Sequence, residues 1–156
     1  MTVLLSGCMG AAQQPPQGRL IYCSWAKNGA AGLGKDYCEL IADEGATPKI
    51  VVVKNEDCRF AECTRAEFEV DEAVVTKLQE ILAEGKVYKL NGYHLDEAIC
   101  GGHSYRIYQE YASGDKVNAF WYGQNVKEEA YDAFYLIYNY FKPWYDQVPE
   151  GGPIDN

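Results

Sequence analysis

Two histidines and six cysteines are the residues of this chain best suited to chemistry. Three of them fall in one short stretch, His94, Cys100 and His103. Cys100-Gly-Gly-His103 sets a thiol close to an imidazole, and a thiolate beside a base is a nucleophile. The same donor types bind zinc. His94 and Cys100 do not have the spacing of a known zinc pair, and no elbow or helix start presents Cys100. The stretch therefore reads as a loop carrying two histidines. Metal ligation by Cys100, His103 and His94, and thiol catalysis by Cys100 with His103, are kept as lesser alternatives. No cofactor is expected. Carboxylates such as Asp96 and Glu97 are too numerous for the sequence to single out an acid–base pair.

A second stretch invites a nucleotide. Gly29, Gly34 and Lys35 have the spacing that opens a phosphate-binding loop. The next residue is Asp36, where that loop needs a hydroxyl for magnesium, and its carboxylate repels phosphate. The following residues read as a strand, whereas the loop must lead into a helix. The expectation is a glycine-rich hairpin connection and no nucleotide.

Aromatic side chains are abundant, with 13 Tyr, 3 Trp and 5 Phe. Tyr105, Tyr108, Tyr111, Phe120, Trp121 and Tyr122 crowd one predicted hairpin. In a two-faced hairpin one set packs in the core. The opposite set, Tyr108, Phe120 and Tyr122, is too apolar for a plainly solvated face, so either a helix covers it or it binds something. Trp144 and Tyr145, after the last predicted helix, join these three as the expected binding surface, which would stack on sugar rings or bury a partner's side chains.

Near the start, Leu5-Ser6-Gly7-Cys8 matches the lipobox of bacterial lipoproteins at every position. The resemblance implies cleavage before Cys8 and lipidation of its thiol and new amino group. Residues 1–7 would then be a signal-peptide remnant. "MTVLL" ahead of the box lacks the basic segment of a signal peptide, so the resemblance also implies a gene start upstream of Met1. "MGAAQQPPQG" resembles the flexible tether that follows the lipid, giving residues 8–18. The layout from Phe68 to Trp144 loosely resembles small exported bacterial domains of unknown function. The matching residues are Gly102, Tyr105, Ile107, Gly114, Gly123 and Asn125, and they carry no catalytic residue.

Charge narrows the partners. The chain has 14 basic and 23 acidic residues, a formal net charge of −9. Such a surface repels phosphate backbones and anionic lipid, so nucleic acid is not expected and any membrane contact goes through the lipid on Cys8. With Cys8 lipidated, five cysteines remain. Cys58 and Cys63 enclose "RFAE", a loop a disulfide could close, and Cys23 and Cys38 lie on neighbouring strands and could face each other. Disulfides suit a periplasmic or surface location.

The elements that must position these residues follow from periodicity. Residues 19–25, 36–42 and 49–55 read as strands, and 66–70 as an edge strand. Residues 71–85 read as a helix, with Asp71 as N-cap, an apolar stripe of Val74, Val75, Leu78, Ile81 and Leu82, and Gly85 past its end. Residues 86–90 read as a weak strand and 93–103 as loop. "SYRIYQEY" and "KVNAFWYG" form a hairpin about "ASGD". A last helix follows, capped by Asn125, burying Ala130, Ala133, Phe134, Ile137 and Phe141, and ended by Pro143.

The expected fold is α+β: an antiparallel sheet of about five to seven strands with two helices packed on one face. One domain spans residues 19–148, with a frayed tail at 149–156. The expected function is a lipid-anchored, non-catalytic binding or accessory protein of the bacterial cell envelope, on its periplasmic or surface face, with a protein or glycan partner. The alternatives are a small envelope hydrolase using Cys100/His103 or carboxylates, and a cytosolic metal-binding domain.

Overall fold

The computed structural model describes residues 14–30 and 32–154; Cys8 and the rest of the lipobox lie outside the described residues. Four strands open the chain as a meander: β1 (Leu20–Asn28), β2 (Lys35–Ile41), β3 (Lys49–Glu56) and β4 (Thr64–Glu69). Helix α1 (Glu72–Glu84) and a 3-10 turn (Val87–Leu90) lead to β5 (His94–Asp96), the hairpin β6 (Ser104–Tyr111) and β7 (Lys116–Tyr122), and helix α2 (Glu128–Tyr145). All seven strands form one sheet in the order β4-β3-β2-β1-β6-β7-β5. Neighbours are antiparallel except β5, which runs parallel to β7. The protein is α+β, and the sheet is mixed by that single edge strand.

Strand alternation sorts the side chains onto two faces. Cys23, Trp25, Cys38, Leu40, Ile50, Val52, Ile107, Ala119 and Trp121 share one face and are buried with the helices in a single core. A register shift between Leu20 and Tyr22 lets Leu20 join that face, although it lies three residues from Cys23. From α1, Val75, Leu78 and Leu82 are buried, and from α2, Ala130, Ala133, Phe134, Ile137 and Phe141. The Trp25 ring anchors α2, lying 5.5 Å from Phe134, 5.1 Å from Tyr138 and 5.5 Å from Tyr145. The helices are joined by the Tyr140 hydroxyl, which donates to the Val74 carbonyl at 2.7 Å.

Several expectations are corrected. Residues 86–90 are not a strand: Val87 and Leu90, both buried, are spaced for a 3-10 turn, and Lys86 enters it with a φ of 52°. The 93–103 loop contains β5. Gly85 is right-handed, with a φ of −73°; its place is explained by packing, because a Cβ there would strike Leu136 of α2. Asn125 does not cap α2, whose N-cap is Lys127, and Asp71 stands at the N-cap of α1 without a capping bond. Pro143 lies inside α2 rather than ending it. The helical hydrogen bond it cannot donate would go to the carbonyl of Asn139, an exposed residue that water can reach.

The tail is docked rather than frayed as far as Ile154. Pro153 bridges to Ala61, the Glu62 amide donates to the Gly152 carbonyl at 2.9 Å, and Thr64 Oγ1 donates to the Pro149 carbonyl at 2.9 Å. The end of the expected tether is pinned too. The Gln17 amide donates to Asp115 Oδ2 at 2.8 Å, and Gln79 Nε2 to the Gly18 carbonyl at 3.0 Å.

Candidate binding face

Both helices lie on the Trp25 face, so the other face of the sheet is helix-free. Its cross-strand rows are fixed by register. Val53, Tyr37, Ala26, Arg106, Phe120 and His94 form one row. Val51, Glu39, Ser24, Tyr108 and Asn118 form the next. Val51 and Val53 are buried, flanked by Glu39 and Glu67 in one row and by Tyr37 and Arg65 in the other.

At the centre, on β1, the side chains are the small Ser24 and Ala26. They form the floor of a trough of about 520 Å³ whose walls include Tyr22, Tyr37, Tyr108 and Arg106. Tyr22 and Tyr108 meet edge to face, with ring centroids 5.8 Å apart. Hydrogen bonds hold the walls. The Tyr22 hydroxyl donates to Glu39 Oε2 at 2.5 Å, the Tyr37 hydroxyl donates to Glu56 Oε1 at 3.3 Å, and the Tyr108 hydroxyl donates to Glu110. Lys35 pairs with Glu56 at 3.5 Å and lies 4.8 Å from the Tyr37 ring centroid. Burial, and then the carboxylate each one touches or faces, push the Tyr22 and Tyr37 phenols up. Both stay neutral at physiological pH.

The expected binding residues separate. Tyr108, Phe120 and Tyr122 lie together on the helix-free face. Phe120 stacks on His94 at 5.2 Å, and the Tyr122 hydroxyl donates to the carbonyls of Ile99 at 2.9 Å and Gly101 at 3.0 Å. Trp144 and Tyr145 are on the other side. Trp144 packs on Tyr140 at 6.0 Å. The Tyr145 hydroxyl donates to Asp36 Oδ2 at 2.7 Å, and Lys54 Nζ lies 4.0 Å from its ring centroid. These two close the core and do not extend the surface. Tyr22, Ser24, Ala26, Tyr37 and Arg106 were missed. The signal was the alternation in β1, where Cys23 and Trp25 pointing inward require Tyr22, Ser24 and Ala26 to point outward.

The thiol and imidazole residues do not converge. His103 Nδ1 faces the Asn28 carbonyl oxygen at 3.3 Å, while His94 is held against Phe120. Cys100 is exposed. Among the described residues, no group of His, Cys, Asp or Glu has a metal-binding arrangement. The Gly29–Gly34 loop joins two antiparallel strands and is closed by the Gly29 amide donating to the Gly34 carbonyl at 2.8 Å. It therefore lacks the helix start of a phosphate loop. Asp36, the residue that broke that motif, bridges elements instead, taking the Tyr145 hydroxyl on Oδ2 and the Asn55 amide on Oδ1 at 2.9 Å.

The disulfide pairings are corrected as well. Cys23, Cys38, Cys58, Cys63 and Cys100 are free. Register places Cys23 opposite Leu40 and Cys38 opposite Trp25, so the two thiols share a face but sit on a diagonal. Burial pushes both thiols well up, and they pack as small apolar groups. Cys58 and Cys63 flank a loop to which the tail bridges at Ala61, and Cys58 Sγ accepts the Phe60 amide at 3.4 Å. Among the described residues no helix is long and apolar enough to cross a membrane. No family model matches the sequence, and no curated protein matches it.

Proposed function

We propose that this protein is a non-catalytic binding or accessory module of the bacterial cell envelope. It is held to a membrane by lipid on Cys8 and takes a protein or glycan partner on its helix-free sheet face. The trough over Ser24 and Ala26 carries the reading. A sheet that packs helices on one side and leaves a walled aromatic hollow on the other presents a preformed surface. The tyrosine walls offer contact area at low entropic cost, because hydrogen bonds to carboxylates already fix them. The lipobox at Leu5–Cys8 supports the location.

Two measurements test it. A photo-crosslinking residue replaces Tyr108 in one variant and Tyr135, on the exposed side of α2, in another, each expressed in cells. Adducts are expected from position 108 and not from 135. Equal adducts from both positions, or adducts from 135 alone, would remove the assignment of the face. Mass spectrometry of the N-terminal peptide from native membranes is expected to find Cys8 first in the chain and acylated. An intact Met1–Gly7 with a bare Cys8 thiol would remove the envelope location.

A further inference from the structure

Resting on the binding-face reading, we propose that the helix-free face is a groove for a linear, neutral glycan lying across the strands, with Arg106 at its midpoint. The trough is not isolated. Arg106 is also a wall of a second hollow of about 420 Å³ that includes His94, Asp96, Asn118 and Phe120. Phe120 in turn borders a third, of about 450 Å³, with Ser104 and Tyr122. The first two adjoin at Arg106 and together follow the row Tyr37, Ala26, Arg106, Phe120 and His94, which steps across five neighbouring strands; the third lies beside that row at Phe120. At about 4.8 Å between strands the row is roughly 19 Å long. That length suits a chain of several sugar units and exceeds a single one.

The chemistry of the row favours a neutral sugar polymer. In the trough Lys35 and Arg106 stand against Glu39 and Glu56, so the charges cancel. The net charge of −9 adds a field that repels polyanions. Along the row the Tyr37 and Phe120 rings stand on either side of the planar Arg106 guanidinium, which matches a sugar with apolar C–H faces and a rim of hydroxyls. Among the described residues Arg106 uses only Nε, donating to Asn118 Oδ1 at 3.2 Å, which leaves its terminal amino groups for ligand oxygens. A protein partner fits less well. Among the described residues the exposed large apolar side chains are Leu33, Phe60, Tyr135 and Ile154, and none of them lines the three hollows. The groove's own rings are half-buried and tied by hydrogen bonds or stacking, so no freely exposed large apolar side chain stands among its described residues.

The test is calorimetric titration of the full chain with cello- and chito-oligosaccharides, from monosaccharide to hexasaccharide. Affinity is expected to climb with length to about the tetrasaccharide and then level off. Ala26→Trp, which fills the trough, should abolish binding. Arg106→Ala should weaken it about tenfold, with Arg106→Lys recovering only part. Tyr135→Ala should bind as the parent chain does. Affinity independent of length, or preference for a sulfated or uronic-acid polymer, would overturn the groove. No binding of any glycan, together with protein adducts at position 108, would overturn the glycan while leaving the binding face intact. Loss of those adducts as well would overturn both.

Discussion

Glu97 holds Asn125 from two sides. Its Oε1 accepts Asn125 Nδ2 at 2.6 Å, and its Oε2 accepts the Asn125 amide at 3.1 Å and the Gln124 amide at 2.5 Å. This one carboxylate fixes the turn between β7 and α2, the route by which α2 is brought back over the sheet. The Asn125 side chain, followed by its amide and that of Gln124, keeps the Glu97 carboxyl below the usual carboxylate range. A carboxyl depressed on folding stabilises above its unfolded pKa and loses that effect as pH falls through the folded one. Glu97→Gln should therefore lower the melting temperature at about pH 7, and that deficit should shrink progressively as pH falls below the ordinary carboxylate range of about 4. A deficit that stays constant with pH would mean that the charge is irrelevant.

Gly123 completes the same turn. A Cβ there would lie 2.8 Å from Glu97 Cδ and 2.9 Å from Cγ, inside van der Waals contact. Gly123→Ala should expel Glu97 and reproduce its loss, with faster amide exchange at Gln124 and Asn125. The double variant with Glu97→Gln should be little worse than either single change, because both act on one contact. Full additivity of the two melting-temperature losses would show that the turn is not held by this contact.

Asp36 ties three elements by accepting the Tyr145 hydroxyl from α2 and the Asn55 amide from β3. Burial, and then the Asp36 hydrogen bond, hold the Tyr145 phenol far above its ordinary range, so it remains the donor. Tyr145→Phe removes one hydrogen bond to a charged group and should cost about 2 kcal/mol in chemical denaturation. A loss under about half a kcal/mol would show that solvent replaces the hydroxyl without penalty.

Periodicity made the two helices legible because their buried faces are pure apolar stripes; all five inward positions expected on α2 are buried. It failed where elements are too short to show a period. Within β5 only Leu95 points inward, and the 3-10 turn offers a single buried pair, Val87 and Leu90, too few positions to display a period. Long-range contacts were invisible: the docking of the tail on Ala61 and Glu62, and the capture of Asn125 by Glu97. The outward aromatic set of the β6–β7 hairpin was readable from alternation alone. The trough was not, because Ser24 and Ala26 matter by their small size, and that tells only once Tyr22, Tyr37 and Tyr108 stand beside them.

Lys54 is 5% exposed, with its Nζ 3.1 Å from Glu150 Oε1 and 4.0 Å from the Tyr145 ring centroid. The Glu150 side chain is 65% exposed, so solvent screens the pair, and Glu150→Gln should cost only about 1 kcal/mol. Lys54→Met, of similar volume, removes the buried charge and should be neutral or stabilising. Gly151→Ala should do more to the tail, because a Cβ there would lie 2.6 Å from the Glu62 backbone carbonyl carbon, which cannot yield as a side chain can. Limited proteolysis should then cut the C-terminal segment of Gly151→Ala well before that of Lys54→Met. Earlier cutting of Lys54→Met would mean that the tail is held by its charge rather than by its backbone.

Thiol labelling separates the burial of the cysteines from their pairing. Cys23 and Cys38 are fully buried, whereas Cys63 and Cys100 are exposed and Cys58 lies between. A buried thiol meets reagent only when the fold opens, so its labelling rate carries the free energy of opening. Under native conditions alkylation should mark Cys63 and Cys100 first and Cys58 next. Cys23 and Cys38 should lag by more than about a thousandfold, given opening energies of typical domains. Denaturant should abolish the lag, and both buried sites should then label fully without reductant. A Cys23–Cys38 bridge would instead require reductant before either labelled, and would force β1 and β2 out of the register that sets Trp25 against Cys38. Since that register also places Ala26 opposite Tyr37, thiol labelling without reductant is an independent check on the geometry of the trough.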